Sequence, residues 1–184
     1  MPETRPASTV ARPSADRGSD VRYQALRQLG ARAHQLRAAT RAADHFIALS
    51  AEEDRNTGSW LMSSAVTLAL DVATDIDGIA RSLKEQPSDA GFTENVKALR
   101  VRAHQLHAAA RAADHFLDQD TSEDRETGSW LIACARGLAD KLAAEIDDGA
   151  SKLKSAGDGS VTDASDAALL RRVGQATAPV RGIA

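Results

Sequence analysis

The sequence predicts an all-α protein, an elongated four-helix up-down-up-down bundle built from two tandem copies of a helical hairpin. Three features point there. Segments 70 residues apart repeat nearly letter for letter, each copy contains two stretches with apolar residues at helical spacing, and no proline interrupts them. RAHQL at 32–36 returns at 102–106, RAADHF at 41–46 at 111–116, and TGSWL at 57–61 at 127–131. Aligned without a gap, 29–84 and 99–154 share 31 of 56 positions. Solenoid repeats are shorter and more numerous, so the pattern reads as duplication of one supersecondary unit.

In the first helix of the first copy, Ala25, Leu29, Ala33, Leu36, Ala43 and Ile47 fall on one stripe. In the second, Leu61, Ala65, Leu68, Val72, Ile76 and Leu83 form a three- and four-residue seam, repeated as Leu131, Ala135, Leu138, Leu142, Ile146 and Leu153. Between the helices, Ser50-Ala51-Glu52-Glu53 resembles a capping box, and Asp120 or Thr121 offers a similar cap in the second copy. The connection is therefore short and the paired helices run antiparallel. Roughly 30 residues per helix correspond to about 45 Å at the α-helical rise. Charge favours the same neighbours. Residues 20–49 carry five arginines against two acids and 94–117 carry four bases against two, whereas 50–85 and 118–154 each balance at -4. Basic first helices beside acidic second helices disfavour like-with-like packing.

The resulting domain plan is a disordered tail over 1–19, repeat 1 over 20–85, a linker over 86–93, repeat 2 over 94–154, and a flexible tail over 155–184. Pro, Ser and Arg without apolar periodicity mark the first tail, and QPSDAGFT marks the linker. SAGDGSVTDAS opens the second tail, with a short helix expected at 166–174.

Composition excludes several functions. With 23 Lys+Arg against 26 Asp+Glu and 3% aromatic residues, the chain lacks the basic excess and stacking platforms of a nucleic-acid binder. One cysteine, Cys134, allows neither an internal disulfide nor a cysteine-rich zinc site. No apolar run suits a membrane span or a secretory signal, so a cytoplasmic protein is expected, with no membrane partner. His34 and His45 are about 16 Å apart along one helix and cannot share an ion. Glu-x-x-His pairs are absent, so no resident metal or other cofactor is expected. Walker loops, dinucleotide fingerprints and nucleophile elbows are absent too.

The two copies agree unevenly. Within 32–46 and 53–61, 21 of 24 positions match, against 10 of the remaining 32. A bend near 48–51 sets these segments side by side, and an up-down-up-down order brings both bends to one pole. The polar residues gathered there include Glu53, Arg55, Thr57 and Ser59 with Glu123, Arg125, Thr127 and Ser129, and the predicted ligand-binding set among them is Arg41, Asp44, His45, Asp54 and Trp60, with Arg111, Asp114, His115, Asp124 and Trp130 in the second copy. Asp54 is expected to face inward, where a carboxylate needs a partner such as Arg41 or His45. His34, Ala38, Arg41 and His45 form a second stripe, repeated as His104, Ala108, Arg111 and His115, which adds His34 and His104 to the set. Gly58 and Gly128 suit a close helix approach. These residues suggest a non-catalytic binding or regulatory bundle holding an anionic small molecule or a protein partner. The alternative is a small metabolic enzyme with His45 or His115 moving a proton and Asp54 or Asp124 orienting the ring. A homo-oligomeric scaffold, with Ala38 and Ala108 at its contact, is a third reading.

Overall fold

The computed structural model consists of four helices, with no strand among the described residues: α1 (Ser14–Ile47), α2 (Glu52–Glu85), α3 (Ala90–Leu117) and α4 (Ser122–Ala176). The described residues are 14–49, 51–85, 90–119 and 121–176. The chain divides into two compact units, one of Gln24–Ser151 and one of Met1–Tyr23 with Lys152–Ala184. In the latter, the described backbone is helical over 14–23 and 152–176.

The helices therefore take in 14–19, 90–93 and 155–176, which composition assigns to tails and linker, and the helix expected at 166–174 is continuous with α4. The breakers explain this extension. Pro13 and Pro87 are the last prolines before α1 and α3, and α4 contains none. The glycines of SAGDGSVTDAS weaken a helix by about 1 kcal/mol each without ending it. The rest of the two tails and the linker, with the caps expected at Ser50 and Asp120, lies outside the described residues.

The core of Gln24–Ser151 is drawn from all four helices. On α1, Leu29, Ala33, Leu36 and Ala43 of the expected stripe are buried, joined by Leu26 and Thr40. On α2, Ala65, Val72 and Ile76 are buried, but Leu61 and Leu68 are only half-buried while Met62, Ala69 and Ala73 are fully enclosed. Ile132, Ala139 and Ala143 repeat that shift on α4. A bundle helix faces more than one neighbour, so its buried arc is wider than a single seam. Thr40 is accommodated because its hydroxyl donates to the Leu36 and Arg37 carbonyls, 3.1 Å away in each case.

Side-chain size tapers along part of the core. On α1 and α3, Leu26 and Leu99 give way to Ala43, Ala110 and Ala113 toward the bends, where Met62 of α2 and Ile132 of α4 are the large buried side chains. There Gly58 and Gly128 let α2 approach Ile47 and α4 approach Leu117. A Cβ on Gly58 would lie 2.7 Å from Ile47 Cγ1 and 3.0 Å from the Ile47 backbone nitrogen. At the other half, an added Gly149 Cβ would lie 3.2 Å from Leu26 Cδ1 and 2.8 Å from Asn95 Nδ2.

Polar contacts tie each helix to two others. Arg32 pairs with Asp75 between α1 and α2, and Arg102 with Glu145 between α3 and α4. Asp77 of α2 holds Arg100 and His104 of α3, while Ser63 donates to Asp114. Between α1 and α4, His34 meets Asp147, Arg37 and Arg41 meet Asp140, and Arg136 donates to Asp44. In the contacts between α1 and α4, numbers rise on one helix as they fall on the other. Except for Asp44–Arg136, these ion pairs between helices set a base of α1 or α3 against an acid of α2 or α4, as the segment charges imply.

Candidate functional site

Each bend is closed by its own backbone. Ala48 N–H donates to the Asp44 carbonyl and Leu49 N–H to that of Phe46, both at 3.2 Å; Asp118 and Gln119 repeat this with Asp114 and Phe116 at 3.3 Å. α4 then starts on Thr121, whose hydroxyl oxygen accepts from the Asp124 N–H at 3.1 Å while its proton goes to the Asp124 carboxylate. This satisfies an orphan amide of the first turn. Glu52, Glu53, Asp54, Glu123 and Asp124 crowd the first turns of α2 and α4, where the positive end of the helix dipole favours them.

A cavity of about 730 Å³ opens between the two bends. Ile47, Glu52, Arg55, Asn56 and Ser59 line it from one hairpin, and Leu117, Asp118, Gln119, Arg125, Glu126 and Ser129 from the other. Four of these contributions are equivalents 70 residues apart: Ile47 with Leu117, Arg55 with Arg125, Asn56 with Glu126, and Ser59 with Ser129. The volume falls in the range of small-molecule pockets, but the walls are mostly charged or hydroxylic rather than apolar. Two guanidinium groups can hold an anionic group, while Glu52, Glu126 and Asp118 can accept from donors on the same molecule.

The residues singled out from sequence are distributed differently. Arg41 donates to Asp140 from Nε at 3.2 Å and from Nη2 at 3.1 Å, a two-pronged contact that leads away from Asp54. Asp44 accepts from Arg136, and Asp114 from Ser63. His45 and His115 are exposed, each edge-on to the following Phe46 or Phe116. His34 reaches Asp147 at 3.1 Å and His104 reaches Asp77 at 3.2 Å. Asp54 is half-buried, and Asp124 serves the Thr121 cap. Trp60 and Trp130 are 69% and 66% exposed. Arg111 is exposed on α3 beside His107 and His115. None of the twelve lines the cavity between the bends. Arg41, Asp44 and Asp114 are drawn sideways to Asp140, Arg136 and Ser63 on other helices, and His34 and His104 lie more than three turns from the bends.

Arg55, Ser59 and their equivalents, identical between the copies, belong to the polar cluster expected at this end but not to the ligand-binding set chosen from it. Sequence reasoning passed over Asp77 and Asp147, an identical pair 70 residues apart that anchors His104 and His34. Asp140 and Asp77 are the perturbed carboxyls. Hydrogen bonding from Arg41, helped by Arg37, holds Asp140 below the usual 3.8 despite desolvation. For Asp77, desolvation is the largest single influence and acts upward, but Arg100 and His104 together outweigh it and leave the pKa lowered. Among the described residues no three His, Cys, Asp or Glu side chains are grouped to hold a metal ion, and no helix is long and apolar enough to cross a membrane. Comparison of the chain with protein-family models, curated proteins and solved structures finds no match.

Proposed function

We propose that the chain is a non-catalytic binding or regulatory protein, an up-down-up-down bundle whose ligand is a small anionic molecule held between its two bends. The observation that carries this reading is the pairing of cavity residues 70 apart, Arg55 with Arg125 and Ser59 with Ser129. An anionic group on the pseudo-twofold between two arginines gains a charge-assisted contact from each hairpin. Hydroxyl or amino groups on the ligand then answer Glu52, Glu126 and Asp118. A hydroxycarboxylate or an amino acid has that chemistry, whereas a bare polyanion meets the acids unfavourably.

Native mass spectrometry of the protein purified from its source tests this, followed by calorimetric titration with citrate and with inorganic phosphate. The expected result is a co-purifying small anion, or citrate binding that weakens roughly tenfold in Arg55→Gln with Arg125→Gln, the loss of about 1.4 kcal/mol. A chain that travels at its sequence mass and gives no heat with either probe overturns it. Turnover of a co-purified metabolite that is lost on His45→Gln with His115→Gln also overturns it, in favour of acid–base catalysis.

A further inference from the structure

The two long seams that join the hairpins share a plan but differ in their partners, most of all at the middle level. On α4, Asp147 and Asp140 face α1; on α2, the equivalents are Asp77 and Leu70. The first level shares a histidine contact, His34 on Asp147 and His104 on Asp77, to which Arg100 adds a second bond where α1 has Gly30. Two turns nearer the bends, Asp140 receives both Arg37 and Arg41, whereas the equivalent level of the α2–α3 seam has Leu70, His107 and Arg111. Leu70 lies seven residues from Asp77, which holds Arg100 and His104, and seven from Ser63, which holds Asp114. That register sets it opposite His107 and Arg111. Arg111 has no hydrogen bond or ion pair among the described residues, and Leu70 is 49% exposed. The nearest acids on this seam, Asp77 and Asp114, are engaged.

Two shallow cavities, lined by α3 residues alone, lie end to end along α3 beside this seam. One, of about 510 Å³, runs past Val101 and His104 to Ala108, and the other, of about 470 Å³, from Ala108 past Arg111 to His115. From Arg100 to His115 they span about 22 Å, or four helical turns. Ala108 and Ala112 are the smallest residues lining them, Val101 is 58% exposed, and their charged members are basic, Arg100 and His104 held by Asp77 and Arg111 left over. We infer that the α2–α3 side is a docking surface for an acidic amphipathic helix of another protein, one carboxylate of which rests on Arg111 as Asp140 rests on Arg41, with an apolar side chain against Leu70. Charge complementarity selects that occupant. The opposite seam supplies the carboxylate internally, and this seam needs it from outside. Ala108 and Ala112 admit a helix backbone closely, as in other helix-in-groove contacts. This surface is separate from the cavity between the bends.

The test is fluorescence anisotropy with a labelled peptide repeating Glu-Leu-Ala-Ala and its counterpart repeating Gln-Leu-Ala-Ala. The acidic peptide should bind saturably and the glutamine peptide roughly tenfold more weakly. Arg111→Gln and Leu70→Asp should each weaken the acidic peptide roughly tenfold, the second by supplying the missing acid internally. Circular dichroism should show Leu70→Asp melting at or above the parent temperature; if it fails to fold, Arg111→Gln, at an exposed position, decides alone. Equal affinity for the two peptides, no binding of either, or indifference to both variants overturns the inference. So does displacement of the peptide by inorganic phosphate or single-stranded RNA, or sedimentation showing a second copy of the chain on this face.

Discussion

Replacing four helical glycines one at a time by alanine measures how closely the helices approach. Each replacement gains about 1 kcal/mol in helix propensity, so the sign is decided by what the new methyl meets. At Gly78 and Gly137 nothing lies within 4 Å, and each variant should be stabilised by about 0.5–1 kcal/mol. At Gly58 the methyl would lie 2.7 and 2.8 Å from Ile47 Cγ1 and Cδ1, and 3.0 Å from the Ile47 nitrogen. Carbon atoms prefer about 3.5–4.0 Å, and the backbone nitrogen closes the escape that a rotating side chain would give. The overpacking cost therefore belongs in the upper part of the usual 1–3 kcal/mol range, for a net loss of about 1–2 kcal/mol. At Gly128 the nearest atoms are Leu117 Cδ2 at 3.1 Å and its Cγ and backbone nitrogen at 3.2 Å, each a few tenths of an ångström farther than at Gly58. A shift of a few tenths of an ångström suffices there, so the net loss should stay under about 1 kcal/mol. Urea unfolding at constant m resolves the series, and in a bundle of this size 1 kcal/mol moves the melting temperature by about 4 °C. If Gly58→Ala is stabilised as much as Gly78→Ala, then α1 and α2 do not meet as described, and the tapered core is wrong.

Thr121→Ala removes the cap of α4 and should cost about 1 kcal/mol, while Thr121→Ser should be close to neutral; equal losses in the urea midpoint would show that the hydroxyl is not the capping group. Asp77 and Asp140 both have lowered pKa values, so the stability they contribute is complete above about pH 4 and is lost as pH falls through their lowered values. Since both are partly exposed, solvent screening limits each contribution to a fraction of a kcal/mol. Asp77→Asn with Asp140→Asn should therefore lower the urea midpoint slightly at pH 7 and flatten its decline below about pH 4. An unchanged acid profile would show that these pairs do not persist in solution.

Four helices were legible because the apolar spacing of Leu29, Ala33, Leu36 and Ala43 has no strand-like alternative and because no proline interrupts it. The burial arc was read one position too narrowly on α2 and α4. A periodicity identifies a face but not how far its flanks are covered, and that depends on where two neighbouring helices sit. Gly58 and Gly128 were legible because a glycine kept at the same place in both copies has a steric reason; Gly78 and Gly137, with no equivalent glycine, have none. The pole was legible as a place, its residues less so. Sequence identity between the copies highlighted Arg41 and His45 as strongly as Arg55 and Ser59. Whether a side chain one turn from a bend enters the cleft or reaches sideways is fixed by residues on other helices. Asp140, which draws Arg41 aside, has Leu70 as its counterpart and so left no trace in the repeat.

Leu26, near the start of the bundle, lies against Gly149, near its end. The two ends of this unit thus lie side by side. A circular permutant opened between Glu85 and Ala90, with a linker joining 151 to 24, is therefore expected to bury the same side chains, and its urea midpoint checks this. Synthesis order and connectivity are then free to vary while the architecture is kept.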